Sequence, residues 1–129
     1  MMNNILGIGI DALSIPRFSA AVEKNSKKFF KKIFTAEEIE HGKTKKIIST
    51  HMAGKFAGKE AVKKALPEGA LIGLKWRDIE ILNNKDGKPY VILHGRARKL
   101  KEKYKVSEIF ISISHTDDTA IANAVVIGG

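Results

Sequence analysis

Strand-like alternation at both ends of this chain, with helical patterning between, leaves few folds open. Near the C-terminus Ile109, Ile111 and Ile113 alternate with Phe110, Ser112 and Ser114, the period of two that marks a strand with unlike faces. His115-Thr116-Asp117-Asp118 then reads as a turn into a last strand, Thr119 to Ile127. At the other end Leu6, Ile8 and Ile10 point one way and Gly7, Gly9 and Asp11 the other, in a strand predicted over Ile5 to Ala12. Ser14 can cap and Pro16 suits the first turn of a following helix, which is expected to reach about Lys32 with Phe18, Val22 and Phe29 on its apolar side. Phe34 to Glu38 opens a second helix, where Thr35 and Glu38 can satisfy each other's backbone amides.

A long helix is predicted from about Lys45 to Leu66, closed by Pro67 and Gly69. Its centre, Ala53 to Gly58, is rich in small residues. The two glycines each cost roughly 1 kcal/mol of helix propensity relative to Ala, which implies close backbone packing or a ligand against that face. Ile79 to Leu82 and Tyr90 to Leu93 flank Asn84 to Lys88, a hairpin signal in which Gly87 can take a positive φ. Arg96 to Tyr104 reads as a basic surface helix. The order β-α-α-α-β-β-α-β-β is an α+β pattern, with helices packed on a mostly antiparallel sheet.

No linker, repeat or composition break divides the chain, so residues 1–129 are expected to form one domain. The absence of cysteine excludes disulfides, thiolate metal sites and a cysteine nucleophile. The N-terminal MMNNILGIGID lacks the basic flank and apolar run of a signal peptide. The longest apolar stretch, Ala124 to Ile127, is far too short to span a bilayer. A cytoplasmic protein without a membrane partner is therefore expected. The unusual number is the net charge of +9, from 23 Lys and Arg against 14 Asp and Glu. It implies an anionic partner: nucleic acid, a phosphate-bearing small molecule or an acidic protein.

Asp11 ends the first strand on a face otherwise made of glycine, with room for a cation or phosphate beside it. The same residue would serve as a plain turn cap. The Gly7-x-Gly9 spacing is no dinucleotide fingerprint, because no third glycine opens a helix at the required place. Glu60 lies on the long helix among Lys55, Lys59, Lys63 and Lys64. It reads either as a surface pair with Lys64 or as a cation ligand in a phosphate site, since hard divalent cations bind through one or two carboxylates plus substrate phosphates. His115 sits at the mouth of a turn, as a solvated side chain, a phosphate ligand or a proton carrier. His41, His51 and His94 have no zinc spacing and are taken as surface or core residues. These residues describe a small basic α+β protein suited to a magnesium–phosphate ligand, without identifying a reaction.

At these residues the chain resembles the holo-[acyl-carrier-protein] synthases of the 4′-phosphopantetheinyl transferase superfamily. The resemblance lies in GIGIDALSIPRF at Gly7 to Phe18, FTAEE at Phe34 to Glu38, AGKFAGKEAVKKAL at Ala53 to Leu66, DGKPYV at Asp86 to Val91 and ISISHTDDTAIANAVV at Ile111 to Val126. It implies the 4′-phosphopantetheinyl transferase fold and transfer of the phosphopantetheine arm of coenzyme A to a serine of an acidic acyl carrier protein. Adenosine 3′,5′-bisphosphate would be released, and the reaction would serve fatty acid biosynthesis, a branch of lipid metabolism. The resemblance further implies Mg²⁺ held by Asp11 and Glu60, with Lys64 neutralising the pyrophosphate and His115 against the CoA phosphates. Glu60, or a water on the metal, would take the serine proton. Gly87, Lys88 and Pro89 match a family loop near the adenosine end, and Arg17 matches an arginine that docks the carrier. Family members of this length form homotrimers with CoA between adjacent subunits, so the Asp11/Glu60 side and the His115 strand would come from different chains. Gly58 stands where Ala is usual and Pro67 where Gly is commoner, two departures expected to loosen the helix that carries Glu60.

The competing reading is a basic nucleic-acid-binding module without catalysis, suggested by Lys24 to Lys32 and Arg96 to Lys105. Against it, aromatic content is only 7%, and no aromatic–basic motif of the RNA-binding kind is present. No nucleic-acid partner is expected. A third reading, a CoA- or nucleotide-binding protein that has lost catalysis, is disfavoured by the intact motif residues.

Overall fold

The computed structural model describes residues 4–129; the first three residues, which enter the signal-peptide reading, lie outside it. The chain runs β1 (Asn4–Ser14), α1 (Ile15–Ile33), α2 (Ala36–Gly42), α3 (Ile48–Ala65), a single 3₁₀ turn (Trp76–Asp78), β2 (Ile79–Asn83), β3 (Pro89–Leu93), α4 (Gly95–Lys103), β4 (Val106–His115) and β5 (Thr119–Gly128). The element order is the one predicted, with the 3₁₀ turn added. All strands are antiparallel, but they form two sheets: β1-β5-β4 and the hairpin β2-β3. The hairpin strands are short and pair only with each other, and the free backbone edge of β2 at Ile79 and Ile81 is met by the side chains of Lys59, Lys55 and Glu38. They join the rest through side chains, with Ile79, Ile81 and Leu93 entering the same core as α3.

Local chemistry sets the helix ends. Ser14 Oγ accepts from the Arg17 backbone N–H, and Pro16 lies in the first turn of α1. Thr35 and Glu38 form the expected reciprocal cap of α2. Glu38 does more than cap, because its buried carboxylate also accepts from the Ile81 N–H and from Lys59 Nζ. The long helix starts at Ile48, later than expected. After α2 ends, the amides of Thr44 and Lys45 turn back to the carbonyls of His41 and Gly42, so this segment makes turns instead.

Helix α3 lies across the three-stranded sheet with Ala53, Ala57, Ala61 and Ala65 in one buried row. Opposite that row are the glycines of β1. A Cβ on Gly7 would stand 2.0 Å from the Ala65 carbonyl oxygen, and one on Gly9 2.0 Å from that of Ala61. The glycines of β1 thus face the core, and its isoleucines face outward. Ile8 and Ile10 are 72% and 59% exposed. Gly58 does not interrupt α3; it seats the helix under the ends of Ile81 and Ile111. Pro67 falls just beyond the C-cap residue Leu66. Neither departure disturbs the helix at Glu60. A second, aromatic core joins Phe18, Phe34 and Met52 under α1 and α2, with Phe56 and Trp76 packed against it.

Candidate active site

Asp11 comes to the side of α3 because β1 rests on that helix through bare glycines. Its Oδ1 accepts from Lys64 Nζ at 3.2 Å, and the same ammonium donates to the Ile10 carbonyl at 3.0 Å. Lys64 therefore crosses to β1 and makes no i, i+4 pair with Glu60. Glu60 is held from another direction: its Oε1 accepts from the indole N–H of Trp76 at 2.7 Å. Among the described residues, neither Asp11 Oδ2 nor Glu60 Oε2 has a protein hydrogen-bond partner.

The expected crowd of lysines around Glu60 does not form. Lys55 and Lys59 are only 2% and 1% exposed, on the helix face turned toward β2. Lys59 Nζ donates to Glu38 Oε1 at 2.7 Å and to the carbonyls of Trp76 and Ile79 at 3.1 and 2.5 Å. These three acceptors use all its protons. Burial lowers the Lys59 pKa, against the opposing pull of Glu38. Successive helix residues point about 100° apart, so adjacency in sequence sends Lys59 inward and Glu60 to the side.

A cavity of about 310 Å³ gathers Gly87, Pro89 and His115 from the predicted set with Lys55, which the sequence had set beside Glu60, and with His51 and Asn83, which it did not single out for a site. Lys88 lies in the turn between Gly87 and Pro89 and is not on the cavity wall. The wall has spare hydrogen-bonding capacity. Lys55 Nζ donates to the Ile81 carbonyl at 2.6 Å, while His51 Nε2 and Asn83 Oδ1 are buried without partners among the described residues. Burial pushes the Lys55 pKa down to about 8 and that of His51, helped by the Lys55 and Lys45 charges, down to about 4. At neutral pH the wall therefore holds a mostly charged ammonium and an uncharged imidazole, a surface suited to a polar anionic group. His51 is more than the surface or core residue expected. Only its tertiary position shows this, since no spacing links it to Asn83 or His115. His94 pairs with Glu80 at 3.0 Å elsewhere.

The two groups of residues do not meet within one chain. Asp11 pairs with Ala122 and His115 with Ala120 on opposite sides of β5, so their strands are separated by two spacings, roughly 10 Å. Arg17 is exposed near the start of α1, a helix whose surface also carries Lys24, Lys27, Lys28, Lys31 and Lys32. Among the described residues no group of three or more His, Cys, Asp or Glu side chains could hold a metal by themselves. A pair of carboxylates, each with an unengaged oxygen, does suit a hard cation whose other ligands come from phosphate. Among the described residues no helix is long and apolar enough to cross a membrane.

The pattern of the 4′-phosphopantetheinyl transferase superfamily matches residues 7–124. The chain is 45% identical over 121 residues to a holo-[acyl-carrier-protein] synthase of Alkaliphilus metalliredigens, covering 94% of this chain and 98% of that protein. An acyl carrier protein synthase of Plasmodium yoelii with ADP bound superposes with a TM-score of 0.88 at 36% identity, over 100% of this chain and 99% of that one. The holo-[acyl-carrier-protein] synthase of Helicobacter pylori in complex with coenzyme A gives a TM-score of 0.80 at 34% identity, over 92% and 98% of the two chains. With its motifs in order along the chain and its fold shared from end to end, this enzyme belongs to the 4′-phosphopantetheinyl transferase superfamily, among the holo-[acyl-carrier-protein] synthases.

Proposed function

We propose that this enzyme transfers 4′-phosphopantetheine from coenzyme A to a serine of an acidic apo acyl carrier protein, with Mg²⁺, in the cytoplasm, as a supply step for fatty acid biosynthesis. The bond formed joins the serine oxygen to the phosphorus that carries pantetheine. The bond broken is the pyrophosphate P–O bond, and adenosine 3′,5′-bisphosphate leaves with its electron pair. The observation that carries the reading is the meeting of Asp11 and Lys64 between β1 and α3, on the helix that bears Glu60, in a chain of this family.

Asp11 and Glu60 would hold Mg²⁺ through their unengaged oxygens. The ion, when bound, supplies neutralising charge to the pyrophosphate. Lys64, already at Asp11, sets a second positive charge beside the phosphates as negative charge builds on the leaving group. Glu60, or a water on the metal, would take the serine proton. His115 and Lys55 would meet the nucleotide phosphates in the cavity, with Gly87, Lys88 and Pro89 toward adenosine. Arg17 and the neighbouring lysines of α1 would dock the acidic carrier.

The distance between the carboxylates and the cavity supports a homotrimer in which one chain supplies Asp11 and Glu60 and its neighbour supplies His115. The outward sheet face supports it too, with Ile8, Ile10 and Ile121 exposed beside Phe110 at 55%. The family assignment displaces the nucleic-acid reading. Incubation with Mg²⁺, CoA and an apo carrier, followed by weighing the carrier, tests the reaction. A phosphopantetheine mass gain is expected, and its absence with several cognate carriers overturns the proposal. Glu60→Gln is expected to abolish the gain with an unchanged circular dichroism spectrum. Full activity in that variant refutes the role of Glu60.

A further inference from the structure

Trp76 is the chain's one tryptophan, and the structure grips it at three points. Its carbonyl accepts from buried Lys59 at 3.1 Å. Its ring packs on Phe56 with centroids 5.8 Å apart. Its indole N–H donates to Glu60 Oε1 at 2.7 Å. Phe56 and Glu60 stand one turn apart on α3, so a single side chain spans both along one helix face. The carbonyl anchor matters because it fixes the 3₁₀ turn independently of the ring, presenting the N–H to Glu60 at a set place. An indole nitrogen donates one hydrogen bond and accepts none. It therefore constrains a carboxylate without competing for a cation.

We infer that Trp76 is the positioning residue of Glu60. Its N–H pins Oε1, stops the carboxylate from rotating about its long side chain, and leaves Oε2 as the oxygen that binds the cation. This rests on Glu60 being a cation ligand as proposed above. Groups that orient a metal ligand typically change metal affinity by about 10–100-fold when removed. A purely structural tryptophan would act through the packing on Phe56, which phenylalanine largely keeps.

Trp76→Phe separates the two roles. With folding checked by circular dichroism, Mn²⁺ is titrated into wild type and variant in the presence of CoA, and free Mn²⁺ is read by electron paramagnetic resonance. The variant is expected to bind Mn²⁺ about 10-fold more weakly and to need about 10-fold more Mg²⁺ for half-maximal transfer, with the KM for carrier unchanged. Equal Mn²⁺ affinity in the two proteins overturns the inference. A second measurement needs no substitution at Trp76. Adding Mg²⁺ to the CoA complex is expected to change the emission of this tryptophan in wild type and not in Glu60→Gln. Emission indifferent to Mg²⁺ in wild type also overturns it. If wild type turns over equally well without divalent cations, the metal reading of the site falls, and the inference with it. If wild type needs Mg²⁺ and Trp76→Phe matches it in every respect, only the assignment of Trp76 falls.

Discussion

His51 stands in the cavity wall with its Nε2 unpartnered, its ring 5.5 Å from that of His41, and the Lys55 and Lys45 charges close by. Burial first, and those charges second, hold its pKa down at about 4. In the unfolded chain it would titrate near 6.5. Between these values the unfolded chain takes up a proton that the folded chain refuses. Stability is whole above about pH 6.5 and is lost as pH falls toward 4. Discounted for partial solvent screening, the loss at pH 5 is about 1 kcal/mol. The drop in melting temperature between pH 7 and pH 5 should therefore be about 4 °C smaller in His51→Phe than in wild type. Thermal melts across that range check it, and parallel curves refute it. At this scale Asp11, Glu60, Lys64 and His115 were readable as candidates, because their residue types carry phosphate and metal chemistry in motifs of fixed spacing. Trp76, His51 and Asn83 were not, because only the docking of the β2-β3 hairpin against α3 gives them their neighbours. Lys59 shows the same limit in reverse: the sequence set it among charges at a site, and the fold spends it inside.

Among the elements, the join between β1 and α3 is the least forgiving. It is made of backbone, a helix carbonyl against a strand residue with no side chain. Gly9→Ala sets a Cβ 2.0 Å from the Ala61 carbonyl oxygen, so β1 must lift from the helix and carry Asp11 with it. A loss of about 3 kcal/mol and of transfer activity is expected. Gly58→Ala makes a useful contrast. There the nearest atom is the Ile81 methyl end, 2.6 Å away, which can swing aside, and the gain in helix propensity of about 1 kcal/mol offsets the crowding. Urea unfolding should place Gly58→Ala within about 1 kcal/mol of wild type. Similar losses in both variants would contradict this account of the contact. Element order, caps and the hairpin turn were legible because they depend on neighbours in sequence. The split into two sheets, the late start of α3 and the outward isoleucines were not, since each depends on what the helix covers.

The whole molecule carries its charge of +9 unevenly. Lys55 and Lys59 lie inside, while the α1 and α4 lysines and arginines dominate the surface. Attraction of an acidic carrier to that surface should weaken with salt. The opposite character belongs to the outer sheet face, where Ile8, Ile10, Ile121 and Phe110 stand exposed. If the proposed trimer forms through this face, Phe110→Asp is expected to turn it into monomers in light scattering and to lower transfer at least 10-fold, because a buried unpaired charge costs several kcal/mol. A trimer that persists in this variant removes the sheet face from the assembly. Asp11 and His115 occupy opposite edges of one sheet with β5 between them. In the proposed ring each chain then lends one edge to each neighbour. Damage is counted by junction and not by subunit: a copy without Glu60 silences one seam while its intact His115 edge still serves the next.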